Sequence, residues 1–210
     1  MGVVLADSNL RTELELAADE ALLDAGRDTW QLRFWEASDM AVVLGRGNTS
    51  STEVNEAACK ADAIPILRRA SGGGTVLQGP GVYNYALVLP MTLDPALTTI
   101  SSTNDWVMNN IAKALQPDCP EIQVSGYTDL SIHGKKCSGN AQRRSRSHVL
   151  FHGCFLCELD VALISKYLSM PSRMPEYRQT RSHDDFLAPV PLSRAQIKAG
   201  IRHLFENMLY

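Results

Sequence analysis

Leu10, Leu14, Ala17 and Ala21 recur at helical spacing behind the candidate caps Asp7 and Ser8, so the chain is expected to begin with an amphipathic helix. The period then changes. Gln31 to Trp35 alternates through Leu32 and Phe34, and Ala41 to Leu44 is a short apolar run stopped by Gly45-Arg46-Gly47, which predicts two strands. A short helix from about Glu53 precedes a strand from Ile64 to Arg69, and that strand runs into Ser71-Gly72-Gly73-Gly74. Alternation resumes from Val82 to Leu89 with Tyr83, Tyr85, Leu87 and Leu89 on one face, so the glycines mark a bend between strands.

After a loop with Pro90 and Pro95, Val107, Ile111 and Leu115 mark a second helix, with its cap among Ser101, Ser102 and Thr103. A hairpin follows, Asp129 to Ile132 and Lys135 to Ala141 around His133-Gly134, and then an apolar strand from Val149 to Leu159. Asp160 caps a helix through Tyr167. The final helix starts at Ser193, where Ser-x-x-Gln to Gln196 forms a capping box, and it carries Ile197, Ile201, Leu204, Phe205 and Met208 on one side. Between Met170 and Pro191, four prolines predict a surface loop that packs through Tyr177, Phe186 and Leu187. Strands and helices do not alternate regularly, so an α+β fold is expected, a mixed β-sheet with flanking helices in a single domain over residues 1–210.

Composition narrows the class without naming it. Hydrophobic residues at 45% and charged residues at 20% are those of an ordinary globular protein. A net charge of −3 argues against a surface built to hold nucleic acid. No uncharged apolar run approaches the ~20 residues that span a bilayer, and the start lacks a secretory pattern, so no membrane partner and a cytoplasmic location are expected. Five scattered cysteines fit a reducing compartment.

Three segments carry candidate chemistry. Arg68-Arg69-Ala70-Ser71-Gly72-Gly73-Gly74-Thr75 puts bare backbone N–H groups beside a fixed charge, which suits a phosphate or carboxylate and equally a plain glycine turn. Its spacing matches neither a Walker loop nor a dinucleotide fingerprint. In Gly134-Lys135-Lys136-Cys137-Ser138-Gly139-Asn140-Ala141-Gln142, a strand lysine among small residues could approach an acyl phosphate, or sit as a solvated edge charge. Phe151-His152-Gly153 places a histidine in an apolar strand, the usual setting of a structural histidine. The basic cluster Lys135, Arg143, Arg144 and Arg146 is either a solvated face or a surface that steers an acidic partner. Cys154 and Cys157 have no second ligand pair, so zinc is not expected.

In this order and separation the three segments resemble the lipoate-protein ligase A family, within the larger group of biotin and lipoate ligases and octanoyltransferases. The similarity extends to Leu32-Arg33-Phe34-Trp35-Glu36, Val42-Val43-Leu44-Gly45-Arg46 and Glu53-Val54-Asn55, and so covers most of the chain. It implies the catalytic-domain fold of biotin and lipoate protein ligases, which is class II synthetase-like. It also implies activation of lipoate or octanoate by ATP and Mg2+ to the acyl-adenylate, then transfer to a lysine of a lipoyl carrier domain of the 2-oxoacid dehydrogenase E2 or glycine cleavage H protein type.

By the same resemblance Lys136 is the catalytic lysine, and Arg69, Ser71, Gly72, Gly73, Gly74, Thr75, Val76 and Leu77 line the nucleotide and acyl-adenylate site. Asn84, Asp129, Asn140 and His152 fall among its further pocket residues. There are departures. Gln78-Gly79-Pro80-Gly81-Val82 stands where many ligases read His-Asp-x-Gly-Asn, which puts in doubt the polar contacts made there, including any to magnesium, and leaves the metal ligands unknown. The Gly-Pro-Gly looks more like an octanoyltransferase, whose thioester chemistry needs a cysteine. Cys119 is the nearest candidate, and Val149 occupies the other branch's cysteine position. Full ligases add an accessory domain that this sequence lacks after its last helix, so a separate accessory protein completes the enzyme or only part of the reaction is done alone. A lipoate-binding module without transfer is the non-enzymatic alternative.

Overall fold

A computed structural model describes residues 2–207. In chain order the elements begin with β1 (Val3–Val4), α1 (Thr12–Ala25), β2 (Gln31–Glu36), β3 (Ala41–Leu44), α2 (Ser50–Glu53), α3 (Glu56–Ala61) and β4 (Ile66–Arg68). Next come β5 (Val76–Gln78), β6 (Val82–Pro90), α4 (Ile100–Leu115), β7 (Gln123–Ser125), β8 (Asp129–Ile132), β9 (Lys135–Arg144) and β10 (His148–Leu156). The chain closes with α5 (Val161–Tyr167), α6 (His183–Phe186) and α7 (Arg194–Asn207).

Seven strands form one sheet in the order β1-β2-β6-β10-β9-β8-β7, antiparallel except for β1 beside β2. A second sheet, β4-β3-β5, has one parallel and one antiparallel pair. This is the α+β mixed arrangement expected. The alternation in β6 sends Tyr85, Leu87 and Leu89 into the main core, where with Phe34, Phe151 and Phe155 they meet Val107 and Ile111 of α4 and Ile201 and Phe205 of α7. The opposite face carries α1 and the small sheet, through Leu23 against Ala86 and Leu150, and Leu16 against Trp35 and Val43.

The first helix inverts its expected face. Leu10 and Leu14 are each 47% exposed, whereas Thr12, Glu15, Leu16, Asp19 and Leu23 are buried. Two carboxylates can turn inward because Arg33 rises from β2 to meet them, its Nη1 lying 2.5 Å from Asp19 and its Nη2 bonded to Glu15. Asp7 and Ser8 do not cap the helix. The Thr12 N–H donates to Asp39 (2.7 Å) and the Ser8 hydroxyl to Glu15 (2.8 Å).

Asp160 caps α5 through the Ala162 N–H (3.0 Å), and Ser193 and Gln196 exchange the two bonds of a capping box. The α4 cap is Thr99, which accepts from the Ser102 N–H, rather than any of 101–103. The strands β5 and β7 are too short to leave a period in the sequence. The proline-rich stretch is a strap over the small sheet's end of the molecule. It buries Phe186, sets Tyr177 against it in a tilted pair at 5.1 Å and is pinned to β9 by the Ala188 N–H on the Lys136 carbonyl (3.0 Å). Met208, expected on the apolar side of the last helix, lies outside the described residues. No described helix is long and apolar enough to cross a membrane.

Candidate functional site

A cavity of about 430 Å3 lies between the two sheets and under the strap. Its apolar wall includes Leu16, Trp35, Val76, Leu77, Ile164 and Leu168. Arg69, Gly73, Gly74, Thr75, Val76, Leu77, Asn84, Asp129, Lys136, Asn140 and His152 all line it, so residues far apart in the sequence converge here. Ser71 and Gly72 do not reach the wall themselves.

Lys136 enters because of a bulge. Ser131 pairs with Lys136 and Leu130 with Ser138, leaving Cys137 as one extra residue in β9. Lys136 then points into the cavity while Lys135 is exposed. Its ammonium rests 2.8 Å from Asp129 Oδ1, whose other oxygen accepts from the Tyr177 hydroxyl at 2.8 Å. Gly139 makes room, since a Cβ there would stand 2.8 Å from Lys136 Nζ.

The glycine turn is shaped by its arginines rather than left as a bare charge. Arg69 Nε donates to Ser71 Oγ (2.9 Å), and Nη2 donates to the carbonyls of Gly72 (2.7 Å) and Gly74 (2.8 Å). Burial pulls its pKa down to about 10. Arg68 clamps the carbonyls of Gly45, Arg46 and Asn48. Gly45 is required because any Cβ would overlap the Gly73 carbonyl, and Gly73 itself has φ +91°, the left-handed region that suits glycine. The fixed cationic charge expected at Arg69 lies on the cavity wall, with its donors spent on the loop's own carbonyls.

His152 continues this network into the helix. Its Nε2 is 2.6 Å from Ser71 Oγ and its Nδ1 is 3.4 Å from Asp19. Asp19 can only accept, which favours the tautomer with hydrogen on Nδ1; in that tautomer Nε2 accepts the Ser71 proton while Ser71 Oγ accepts from Arg69. Ser71→Ala would strand the Arg69 Nε–H and the His152 Nε2 together. A loss of about 1–3 kcal/mol is expected in chemical denaturation, because buried groups lose their partners.

Asn84 exchanges two amide bonds with Gln78 (2.8 and 3.1 Å), tying β6 to β5 across the sheets. Asn140 accepts from the Tyr85 hydroxyl (2.7 Å) and donates to the Thr128 carbonyl (2.7 Å), and Gly153 is small so that Asn140 fits beside it. Both asparagines hold the walls together. Glu53, Tyr177, Arg178 and Phe186 also line or anchor the cavity; Glu53 stands in a segment of the family resemblance and the two aromatic residues in the strap, but Arg178 has no sequence signal.

The thiols are not activated. Burial raises the pKa of all five cysteines, Cys137 to about 12 and Cys157 to about 11. Cys119 is buried in the main core, away from the cavity, and Cys154 alone of the five lines it. Among the described residues no group of three or more histidine, cysteine or acidic side chains is placed to hold a metal ion. Of the basic cluster, Arg144 is not a free surface charge: it reaches under α4 to the carbonyl of Leu97 (2.5 Å) and the Thr103 hydroxyl (3.1 Å).

The fold thus brings a lysine, an aspartate and a glycine turn onto the wall of one apolar cavity between two sheets. The chain belongs to the lipoyl protein ligase A/B catalytic domain family, whose model matches residues 11–190. A probable lipoate-protein ligase A of Mycoplasma pneumoniae is 31% identical over 145 residues, 69% of this chain and 41% of that protein. An octanoyltransferase of Exiguobacterium is 23% identical over 85% of this chain and 76% of its own length. The chain spans about half the length of the first curated relatives it matches.

Two solved structures share the fold. The bipartite lipoate protein ligase of Thermoplasma acidophilum, described with its E2 lipoyl domain, superposes with TM-score 0.81 at 23% identity, over 98% of this chain and 82% of that one. A lipoate-protein ligase A bound with ATP gives 0.80 at 23% identity, over 99% and 85%. The catalytic-domain fold of lipoate and biotin ligases, expected from the resemblance, is the fold observed.

Proposed function

We propose that residues 1–210 work as one catalytic domain of a cytoplasmic lipoate-protein ligase, activating lipoate or octanoate with ATP and passing the acyl group to a lysine of a lipoyl carrier domain. The observation that carries this reading is Lys136 inside an apolar cavity whose wall also holds the glycine turn. The turn lies close against β9, since a Cβ added at Gly73 would stand 3.6 Å from that of Ala141. An acyl chain would fill the apolar wall and its carboxylate would meet the lysine.

In the first half-reaction a carboxylate oxygen attacks the α-phosphorus of ATP, the bond to the bridging oxygen breaks, and pyrophosphate leaves. Lys136 offsets the charge that builds on the phosphoryl oxygens. Magnesium, bound with the nucleotide, would neutralise phosphate charge, and Asp129 is a wall carboxylate that would hold it on giving up its present contacts with Lys136 and Tyr177. In the second half-reaction the carrier lysine, as the free amine, attacks the acyl carbon and AMP leaves with the electrons of the broken C–O bond. Exclusion of water by the strap favours the uncharged amine. E2-type and H-protein-type lipoyl domains are the acceptors this reading names.

A thioester-borne octanoyl transfer is the second reading, favoured by the Exiguobacterium relative and disfavoured by thiols that burial keeps protonated. Pyrophosphate release with lipoate and ATP, with and without a carrier domain, separates the two. Lipoate and ATP together should raise the thermal midpoint more than either alone, because a retained adenylate binds only the folded state. No pyrophosphate with any acid, and a thiol adduct from octanoyl-carrier protein without ATP, would replace the ligase reading with the transferase.

A further inference from the structure

Arg178 lies in the strap, at the end of the turn Glu176–Arg178, and is 4% exposed while lining the cavity. A guanidinium drawn this far out of bulk water needs compensating interactions, and any edge without one must open onto the cavity. The neighbouring arginines have theirs. Arg181 donates to the carbonyls of Arg178 (2.9 Å), Gly134 (3.0 Å) and Tyr177 (2.6 Å), as Arg68 and Arg69 do to their own loops.

Arg178 is different. Its Nε donates to the Arg181 carbonyl (3.0 Å), and its Nη2 reaches only the Met170 sulfur (3.5 Å), a weak acceptor. Phe186 supports it from below, 4.8 Å from the ring centroid. Among the described residues no carboxylate stands within ion-pair distance of it, and Nη1 has no hydrogen-bond acceptor. Asp129, an acid close enough to act on it, is engaged by Lys136 and Tyr177. One edge of a preorganised fork is thus left open on a cavity wall where Lys136 and Arg69 are engaged and the other arginine, Arg173, is exposed to solvent.

We infer that Arg178 is an oxyanion-binding residue of this cavity, taking a carboxylate or phosphate oxygen of the bound ligand on its open edge. The inference rests on the reading that the cavity accepts an acid and a nucleotide, and it adds a charge from the strap to the one supplied by Lys136. The two oxyanion sources are separable. Titration calorimetry of the full chain and of Arg178→Gln, with lipoate alone and with ATP alone, reads each affinity independently.

The Gln variant should lose about 10- to 100-fold affinity for one of the two ligands, the scale of a charge-assisted hydrogen bond, with the other ligand unchanged. Loss for lipoate assigns the carboxylate, and loss for ATP assigns a phosphate. Unchanged affinity for both overturns the inference. Equal weakening of both together with a lower ligand-free melting midpoint also overturns it, since Arg178 would then only hold the strap. Arg178→Lys keeps the stem against Phe186 and gives up the fork, so it decides alone if the Gln variant does not fold: a weakened single ligand supports the inference, and two unchanged affinities remove it. A wild type that binds neither ligand removes the ligase reading along with the inference.

Discussion

Lys136→Ala is expected to lower pyrophosphate release with lipoate and ATP by about 10²–10³, the usual cost of removing a preorganised charge from a developing oxyanion. Lys135→Ala should stay near wild type, because that side chain is exposed and points away from the cavity. The bulge at Cys137 makes this pair a test of register as well as of chemistry. Transfer from preformed lipoyl-AMP should fall in the same mutant, with the circular dichroism unchanged. If the two lysine variants behave alike, Lys136 has no special place in the reaction.

Arg33→Met should cost about 3–5 kcal/mol in denaturant unfolding, the largest stability loss expected from any single change described. Arg33 is 5% exposed, and its removal would leave Glu15 and Asp19, both buried, facing each other without a cation. A deficit below about 1 kcal/mol at neutral pH would mean that water reaches these carboxylates in the native state. Asp19 also receives His152, so the variant should loosen the glycine turn through Ser71.

Much of this site could be read before any coordinates. The hairpin that carries Lys136, the turn after β4 and the strand that holds His152 announce themselves through alternation and glycine, because each is a local pattern. The first helix could not be read that way: its apolar stripe through Leu10 and Leu14 faces outward, and the deciding partner, Arg33, lies on a strand with no periodic relation to it. Arg69 and Arg144 look in sequence like surface or ligand charges, yet each is committed to backbone carbonyls that only the folded chain brings near. In the strap the packing through Tyr177 and Phe186 was legible, but its place over the cavity was not. Prolines erase the period, and Arg178 gains its meaning only from what fails to approach it.

The placement of the cavity between two sheets has a consequence for how the protein comes into being. Strand β2 pairs with β6 and β6 with β10, so the large sheet assembles from segments far apart in the chain. Such non-local closure is slow compared with helix or hairpin formation. A nascent chain has the glycine turn early, but the lysine opposite it arrives some sixty residues later and the strap later still. During synthesis the ribosome must therefore release nearly the whole domain before any ligand can be held, and small-molecule substrate cannot act as a template for the early stages of folding.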